Sequence, residues 1–378
     1  MPSVVIIGPA HPLRGGLASF DERLAREFQQ SGWDTTIFTF SLQYPDLLFP
    51  GASQFSDEPK PDDLKIEVCI NSINPINWMQ IGLQLKKLSP DLIIARYWIP
   101  FMGPCLGTIL RIAKRNQKSK IICLADNIIP HERRIGDDLF TRYFINVPDA
   151  FIVMGESVKQ SLIKLKPEAK YTLIDHPLFD NFGEIVDQNE ARKFLNIPPD
   201  IKLVLFFGFI RKYKGLDLLL DAFGSEILKR SDIHLLVAGE FYEDEIRYHD
   251  QIEKHQLNEK VYLHTQFIPN SQVRYYLSAA DVVVQPYRSA TQSGVTPLAY
   301  HFEKPMIVTD VGSLAQLVPH GHVGLVCQPD SNSIAMAIKS FFEKEPNHFL
   351  KGIREGKSKL SWKTFVDKIL ALSNDIQK

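Results

Sequence analysis

The chain has 378 residues, too many for one ordinary hydrophobic core, so about two domains of roughly 150–200 residues each are expected. Hydrophobic residues make up 44% and charged residues 23%, the balance of a soluble globular protein. Lysines and arginines number 43 against 44 aspartates and glutamates, and the net charge of −1 argues against a general nucleic-acid binder while leaving room for a local basic patch.

VVIIGPA (4–10) reads as a buried strand, an apolar run rich in β-branched residues. HPLRGG is a loop. LASFDERLAREFQQSG has helical spacing: Leu17, Phe20, Leu24 and Phe28 share a face, and Gly32 stops it. DTTIFTF (34–40) is the next strand, which completes a β-loop-α-β unit of a parallel sheet. Residues 41–75, rich in Pro, Asp and Ser, read as irregular. DLIIARY (91–97) and KIICLADN (120–127) are strands with a helix near 105–116 between them; DAFIVMG (149–155) is a further strand and ESVKQSLIKLKP a helix. The apolar stretch 92–114 is broken by Arg96, Pro100 and Pro104, so a strand, a loop and a helix fit it better than a membrane span, and any membrane contact is expected to be peripheral. YTLIDHPLFDNFG (171–183) reads as a strand leaving one domain and a linker.

A second series follows. Strands are expected at LVLFFGF (203–209), HLLVAGE (234–240), VYLHTQF (261–267), DVVVQPY (281–287), PMIVTDV (305–311) and GLVCQP (324–329), with helical segments alternating between them. The C-terminal SWKTFVDKILALSNDI (361–376) is an amphipathic helix that needs a surface to pack on, such as the first domain. The N-terminus lacks a basic segment and a cleavage site and does not read as a signal peptide. Cys69, Cys105, Cys123 and Cys327 have no zinc or C-x-x-C spacing and read as reduced thiols of a cytoplasmic protein.

Three stretches at strand ends carry the chemistry, because ligands of open α/β sheets bind beyond the carboxyl ends of the strands. In HPLRGGLAS (11–19), Gly15 and Gly16 let the backbone approach a ligand, and the helix that follows offers free N–H groups to a phosphate; a plain tight turn is the alternative. In GFIRKYKGLDLLLDAF (208–223), Arg211 and Lys214 follow Gly208 and precede a helix opened by Gly215, an arrangement suited to a diphosphate or else solvated surface charge. In PYRSATQSGVTPLAY (286–300), Thr296-Pro297 suits a first helical turn. The N–H groups of Gly294, Val295 and Thr296 form a second anion site, with Thr291, Gln292 and Ser293 as neutral partners; ordinary capping is the alternative. No G-x-G-x-x-G follows the first strand and no G-x-x-x-x-G-K-[ST] occurs, which counts against nicotinamide, flavin and P-loop enzymes.

Taken in order, GGLASF, ADNIIPHE (125–132), FFGFIRKYKGLDLLLDAF, ADVVVQPYRSATQSGV with KPMIVTDVGSLAQLV, and the final SW-x-x-F helix resemble the GT-B glycosyltransferases of the large retaining group called family four. The resemblance implies two Rossmann-like parallel-sheet domains facing a cleft: an acceptor-side domain over 1–180, a donor domain over 181–356, and a helix over 357–378 crossing back to the first. It implies transfer of a hexosyl group from a UDP- or GDP-linked sugar to a glycan or lipid-linked acceptor, without a metal ion, in a cytoplasmic protein with possible peripheral contact at the inner face of a membrane, as in polysaccharide biosynthesis. A binding or scaffold subunit and a sugar-nucleotide epimerase of the same architecture are the alternatives.

The same resemblance gives Arg211 and Lys214 the diphosphate and the leaving group. Gly16, Gly208, Phe267, Ile268, Thr291, Gln292, Ser293, Gly294 and Val295 are given to the donor, with the base near Gln266–Ile268. Asp126 and His131 are given to the reacting centre, with His131 as a loop-capping histidine the alternative. Where the family usually carries two glutamates eight positions apart, this chain has Thr291 and Ala299; where it often has His before Asn, this chain has Asp126.

Overall fold

A computed structural model of the protein describes residues 1–45, 53–129, 136–290 and 293–376. It divides into two compact units, Met1–Pro177 with Trp362–Lys378, and Leu178–Ser361. Among the described residues, the first unit holds a seven-stranded parallel sheet of β1 (Ser3–Ile7), β2 (Asp34–Leu42), β3 (Lys65–Asn71), β4 (Leu92–Tyr97), β5 (Lys120–Ala125), β6 (Ala150–Val153) and β7 (Tyr171–Leu173), in the order β3-β2-β1-β4-β5-β6-β7. The strands β4 and β6 are buried throughout, as parallel strands covered on both faces must be, which explains their unbroken apolar runs.

One core of this unit joins Val5, Ile7, Ile93 and Ile121 of the sheet to Leu85, Leu106, Ile109 and Phe144 of three helices, Pro75–Leu88, Gly103–Ala113 and Asp137–Ile145. The stretch 41–75, which reads as irregular in sequence, contains β3. It is an edge strand in which only Ile66 and Ile70 are buried, and so interrupted a run is a weaker signal than the apolar runs of the centre. The helix after it starts where Asn74 accepts from the N–H groups of Ile76 and Asn77 and Pro75 takes the first helical position.

The second unit holds, among the described residues, a six-stranded parallel sheet of β8 (Lys202–Phe207), β9 (Ile233–Ala238), β10 (Val261–His264), β11 (Val282–Gln285), β12 (Met306–Thr309) and β13 (Gly324–Cys327), in the order β10-β9-β8-β11-β12-β13. In each sheet the order reverses once, between β1 and β4 and between β8 and β11.

The unit boundaries differ a little from the expected 180/181 and 356/357. The Leu178 N–H donates to the Leu360 carbonyl, which closes the second unit on itself. The helix Leu350–Lys359 also stays there, because Gly352 lies against the His322 carbonyl and Gly356 against the Tyr300 ring, both too close for a Cβ. The returning segment therefore begins at Trp362. Helix Trp362–Asn374 packs on helix Gly16–Gln30, with Trp362 edge-on to Phe20 at 4.8 Å and Phe365 at 5.8 Å. Trp362 is buried, and Trp362→Ala should cost the first unit about 3–5 kcal/mol in urea denaturation, with Trp362→Phe losing much less.

Candidate functional site

The switch point between β8 and β11 is where an open sheet of this kind can take a ligand. The chain leaves β8 through Gly208, at φ +97°, and continues beside the end of β9, the Ile210 N–H donating to the Glu240 carbonyl at 2.8 Å. A short turn, Lys212–Lys214, follows, and Gly215, at φ +69°, opens the helix Leu216–Gly224. Any side chain at 215 would collide with the Pro286 carbonyl, so glycine is what lets this loop meet the loop that leaves β11. Two further contacts join them: the Arg288 N–H donates to the Tyr213 carbonyl at 2.7 Å, and its guanidinium pairs with Asp217 at 2.6 Å.

Lys214 is folded back into this junction. Its Nζ lies 3.1 Å from the point where a Cβ on Gly208 would stand, Val295 is 3.7 Å from the same point, and the Tyr287 ring centroid is 5.9 Å from Nζ. Burial, and after it the charge of Arg211, bring the Lys214 ammonium down to about 7. Among the described residues no carboxylate pairs with Lys214 or Arg211. Arg211 is exposed and lies over the Tyr242 ring at 4.9 Å. Tyr242 stacks on Phe209 at 4.4 Å, and Phe209 on Phe267 at 6.3 Å, so the ends of β8, β9 and β10 share an aromatic surface beside the cations. Ile268 follows it, half-buried.

The loop after β11 is less free than its sequence suggests. The Ser293 hydroxyl donates to Gln285 Oε1 at 2.5 Å, lies 3.3 Å from the Tyr287 hydroxyl, and accepts the Val295 N–H at 3.2 Å. Thr296 donates to the same Gln285 oxygen at 3.2 Å. In this structure the Ser293 hydroxyl is therefore buried and turned inward, and the Val295 N–H is directed to it. Gly294 has a helical φ of −67° and faces Phe179, whose ring would be 3.2 Å from a Cβ there. Ala299 is fully buried and brings no polar group. Thr291, Gln292 and His131 lie outside the described residues.

Gly16 and Asp126 belong to the first unit. Gly16 is the first residue of helix Gly16–Gln30, behind Gly15 at φ +102°. Asp126 is not a free base. Both of its oxygens take the Arg96 guanidinium, from Nε and Nη2, at 2.7 Å each, and the third nitrogen, Nη1, goes to Asp21 at 2.8 Å. The Phe20 ring lies 4.2 Å from the Arg96 Cζ, and all of Arg96 is buried.

Sequence reasoning missed this network, although two signals were present: an arginine inside the apolar LIIARY, and an aspartate at 21 on the stripe of Leu17 and Leu24. One cation cannot repay the burial of two carboxylates. Burial therefore pushes Asp21 up to about 7 despite Arg96, and its Oδ2 has no hydrogen-bond partner. The folded state holds this proton more tightly than the unfolded chain, where the value is 3.8. The stability Asp21 contributes is therefore complete below 3.8 and lost as pH rises through about 7. Asp21→Asn keeps an acceptor for Arg96 and cannot ionise. Denaturation at about pH 5 and about pH 8 should show wild type losing on the order of 1–3 kcal/mol more than the variant between the two.

Among the described residues, no cluster of three or more His, Cys, Asp or Glu could hold a metal ion, and no helix is long and apolar enough to cross a membrane.

Residues 187–357 match the family described as Glycosyl transferases group 1. The lipopolysaccharide core biosynthesis mannosyltransferase LpsB of Rhizobium meliloti (strain 1021) is 31% identical over 173 residues, 42% of this chain and 47% of that protein. The chain spans between 47% and 63% of the length of the curated relatives it matches. Sucrose-phosphate synthase from Thermosynechococcus elongatus superposes with a TM-score of 0.77 at 17% identity, over 99% of this chain and 98% of that one. Anabaena Alr3699/HepE, in complex with UDP-glucose, superposes at 0.74 with 15% identity, over 98% and 99%. Two Rossmann-like parallel-sheet units with these neighbours make the fold GT-B.

Proposed function

We propose that this chain, a group 1 glycosyl transferase of GT-B fold by its residues 187–357, moves a hexosyl group from a nucleotide-diphosphate sugar to a glycan or lipid-linked acceptor, with retention at the anomeric carbon. The acceptor would be met at the inner face of a membrane through peripheral contact. One observation carries the reading: Lys214, a cation folded into the β8/β11 switch point with no described carboxylate to pair it. Holding an ammonium there costs free energy that an incoming anion would recover.

In the transfer the bond from the sugar C1 to the diphosphate oxygen breaks, C1 bonds to the acceptor hydroxyl oxygen, and the hydroxyl proton passes to an oxygen of the departing diphosphate. Negative charge grows on the departing diphosphate. Lys214 meets it as a point charge and Arg211 as a planar fork. These two cations supply the neutralising charge, and the proposal requires no metal ion. The aromatic surface of Phe209, Tyr242 and Phe267 is the place for the nucleobase, and the UDP-glucose complex of Alr3699/HepE makes a uridine donor the first to test. Ala299 favours a second reading, a binding subunit without turnover, because its buried methyl group gives no hold on a ribose.

A panel of nucleotide sugars, assayed for hydrolysis and for a rise in Tm, separates the two readings. Turnover supports the transferase, binding without turnover supports the subunit, and neither response defeats both. Lys214→Ala should lower turnover at least tenfold, about 1.4 kcal/mol of lost transition-state stabilisation, and unchanged kinetics would remove Lys214 from the site. Diphosphate binding must protonate a lysine that is half-neutral near pH 7, so UDP affinity should fall as pH rises through about 7. Calorimetric titrations across that range should show the trend in wild type and its absence in Lys214→Ala.

A further inference from the structure

Gln285 is the last residue of β11, whose other residues are Val282, Val283 and Val284, and it is only 1% exposed. Its Nε2 donates to the Met306 sulfur at 3.7 Å, a weak acceptor. A buried amide with so weak a partner costs folding free energy that an apolar side chain would not. The oxygen of the same amide is heavily used. Oε1 accepts from the Ser293 hydroxyl at 2.5 Å and from Thr296 at 3.2 Å. Ser293 has one hydroxyl proton and gives it to Gln285, so in its contact with Tyr287 the tyrosine is the donor. A serine caps a helix through its own oxygen, as Ser293 does for the Val295 N–H, and needs no buried glutamine for it.

What this anchor fixes lies around Lys214. The Tyr287 ring, whose centroid is 5.9 Å from the Lys214 Nζ, is held at its hydroxyl by Ser293 and at its carbonyl by the Thr309 hydroxyl, at 2.6 Å. Val295 is 3.7 Å from the point where a Cβ on Gly208 would stand, and Nζ is 3.1 Å from that point. Ser293 and Thr296, both bonded to Gln285, stand on either side of Val295. Two apolar walls of the lysine's space therefore hang on one buried oxygen.

We propose that Gln285 is the positioning residue for Lys214: without touching the diphosphate, it sets the Tyr287 and Val295 walls that keep the ammonium desolvated and turned to the switch point. The consequence for the donor rests on the reading of Lys214 given above, a diphosphate met by a lysine already in place. Burial is the larger reason that Lys214 is brought down to about 7, and the charge of Arg211, on the same loop, the smaller. Removing the anchor acts on the first of these.

The test is the titration of Lys214 in the full chain, read without any nucleotide by competitive acetylation and mass spectrometry between about pH 5 and about pH 11. In the triple variant Gln285→Leu, Ser293→Ala, Thr296→Val, apolar groups replace both sides of these hydrogen bonds, which should keep Tm near that of wild type while the two walls are released. The Lys214 midpoint should then rise by about one pH unit or more, from about 7 toward 10.5. UDP affinity at about pH 6, where Lys214 is protonated in both proteins, should fall about tenfold in calorimetry. Gln285→Met keeps the length of the side chain and drops the acceptor. It should move the midpoint in the same direction, and it serves where the triple variant does not fold. A midpoint and a UDP affinity that both match wild type overturn the proposal and leave Gln285 a support of the helix cap alone. A lowered Tm with an unchanged midpoint does the same. A midpoint that moves in a protein that binds no UDP even as wild type supports the positioning and defeats the donor reading instead.

Discussion

A parallel sheet covered on both faces by helices leaves a ligand one opening, the carboxyl edge at the place where strand order reverses. In the second unit that place is between β8 and β11, and the site depends on bringing two loops together over it. Gly208 and Gly215 do so on one side, at φ values closed to most residues, and Gly215 is fixed by the Pro286 carbonyl against it. On the other side Gln285, the last residue of β11, holds Ser293 and Thr296 through a single side-chain oxygen. Lys214 enters the space that these contacts frame.

Two cations in this protein meet the cost of burial in opposite ways. Arg96 is surrounded by acceptors: two oxygens of Asp126, one of Asp21, and the Phe20 ring. Its charge is satisfied, and the strain is passed to Asp21, which keeps a proton and an unpartnered oxygen. Lys214 has the Tyr287 ring and the neighbouring charge of Arg211, and its ammonium is weakened. A satisfied buried cation belongs to the architecture of its unit, while one with no carboxylate partner among the described residues is the one that the proposed function gives to an anion. The contrast separates Asp126 from Lys214, although both follow strand ends and both look reactive in sequence.

Much of the fold was legible because parallel strands buried on both faces are continuous apolar runs, and the helices between them carry a 3.6-residue period. The edge strand β3 was not, since KIEVCIN buries only Ile66 and Ile70, lies among loop-forming residues, and shifts register twice in its pairing with β2. Of the candidate site, the position of Arg211 and Lys214 between Gly208 and a helix start was legible from residue order. The inward commitment of Ser293 was not. A serine before a helix reads the same whether it caps, binds a ligand or does both, and Gln285, eight residues earlier, decides it.

The sequence by itself determined that there are two successive α/β units, where their strands end, and which glycines and cations stand at those ends, because these follow from local period and residue type. Tertiary structure alone decided which charges are spent. Arg96 meets Asp21 and Asp126 across 75 and 30 residues, and Asp217 meets Arg288 across 71, pairings no local pattern encodes. Whether a carboxylate is a partner or a base, and whether a lysine is paired or waiting, depends on what the fold brings within about 3 Å of it.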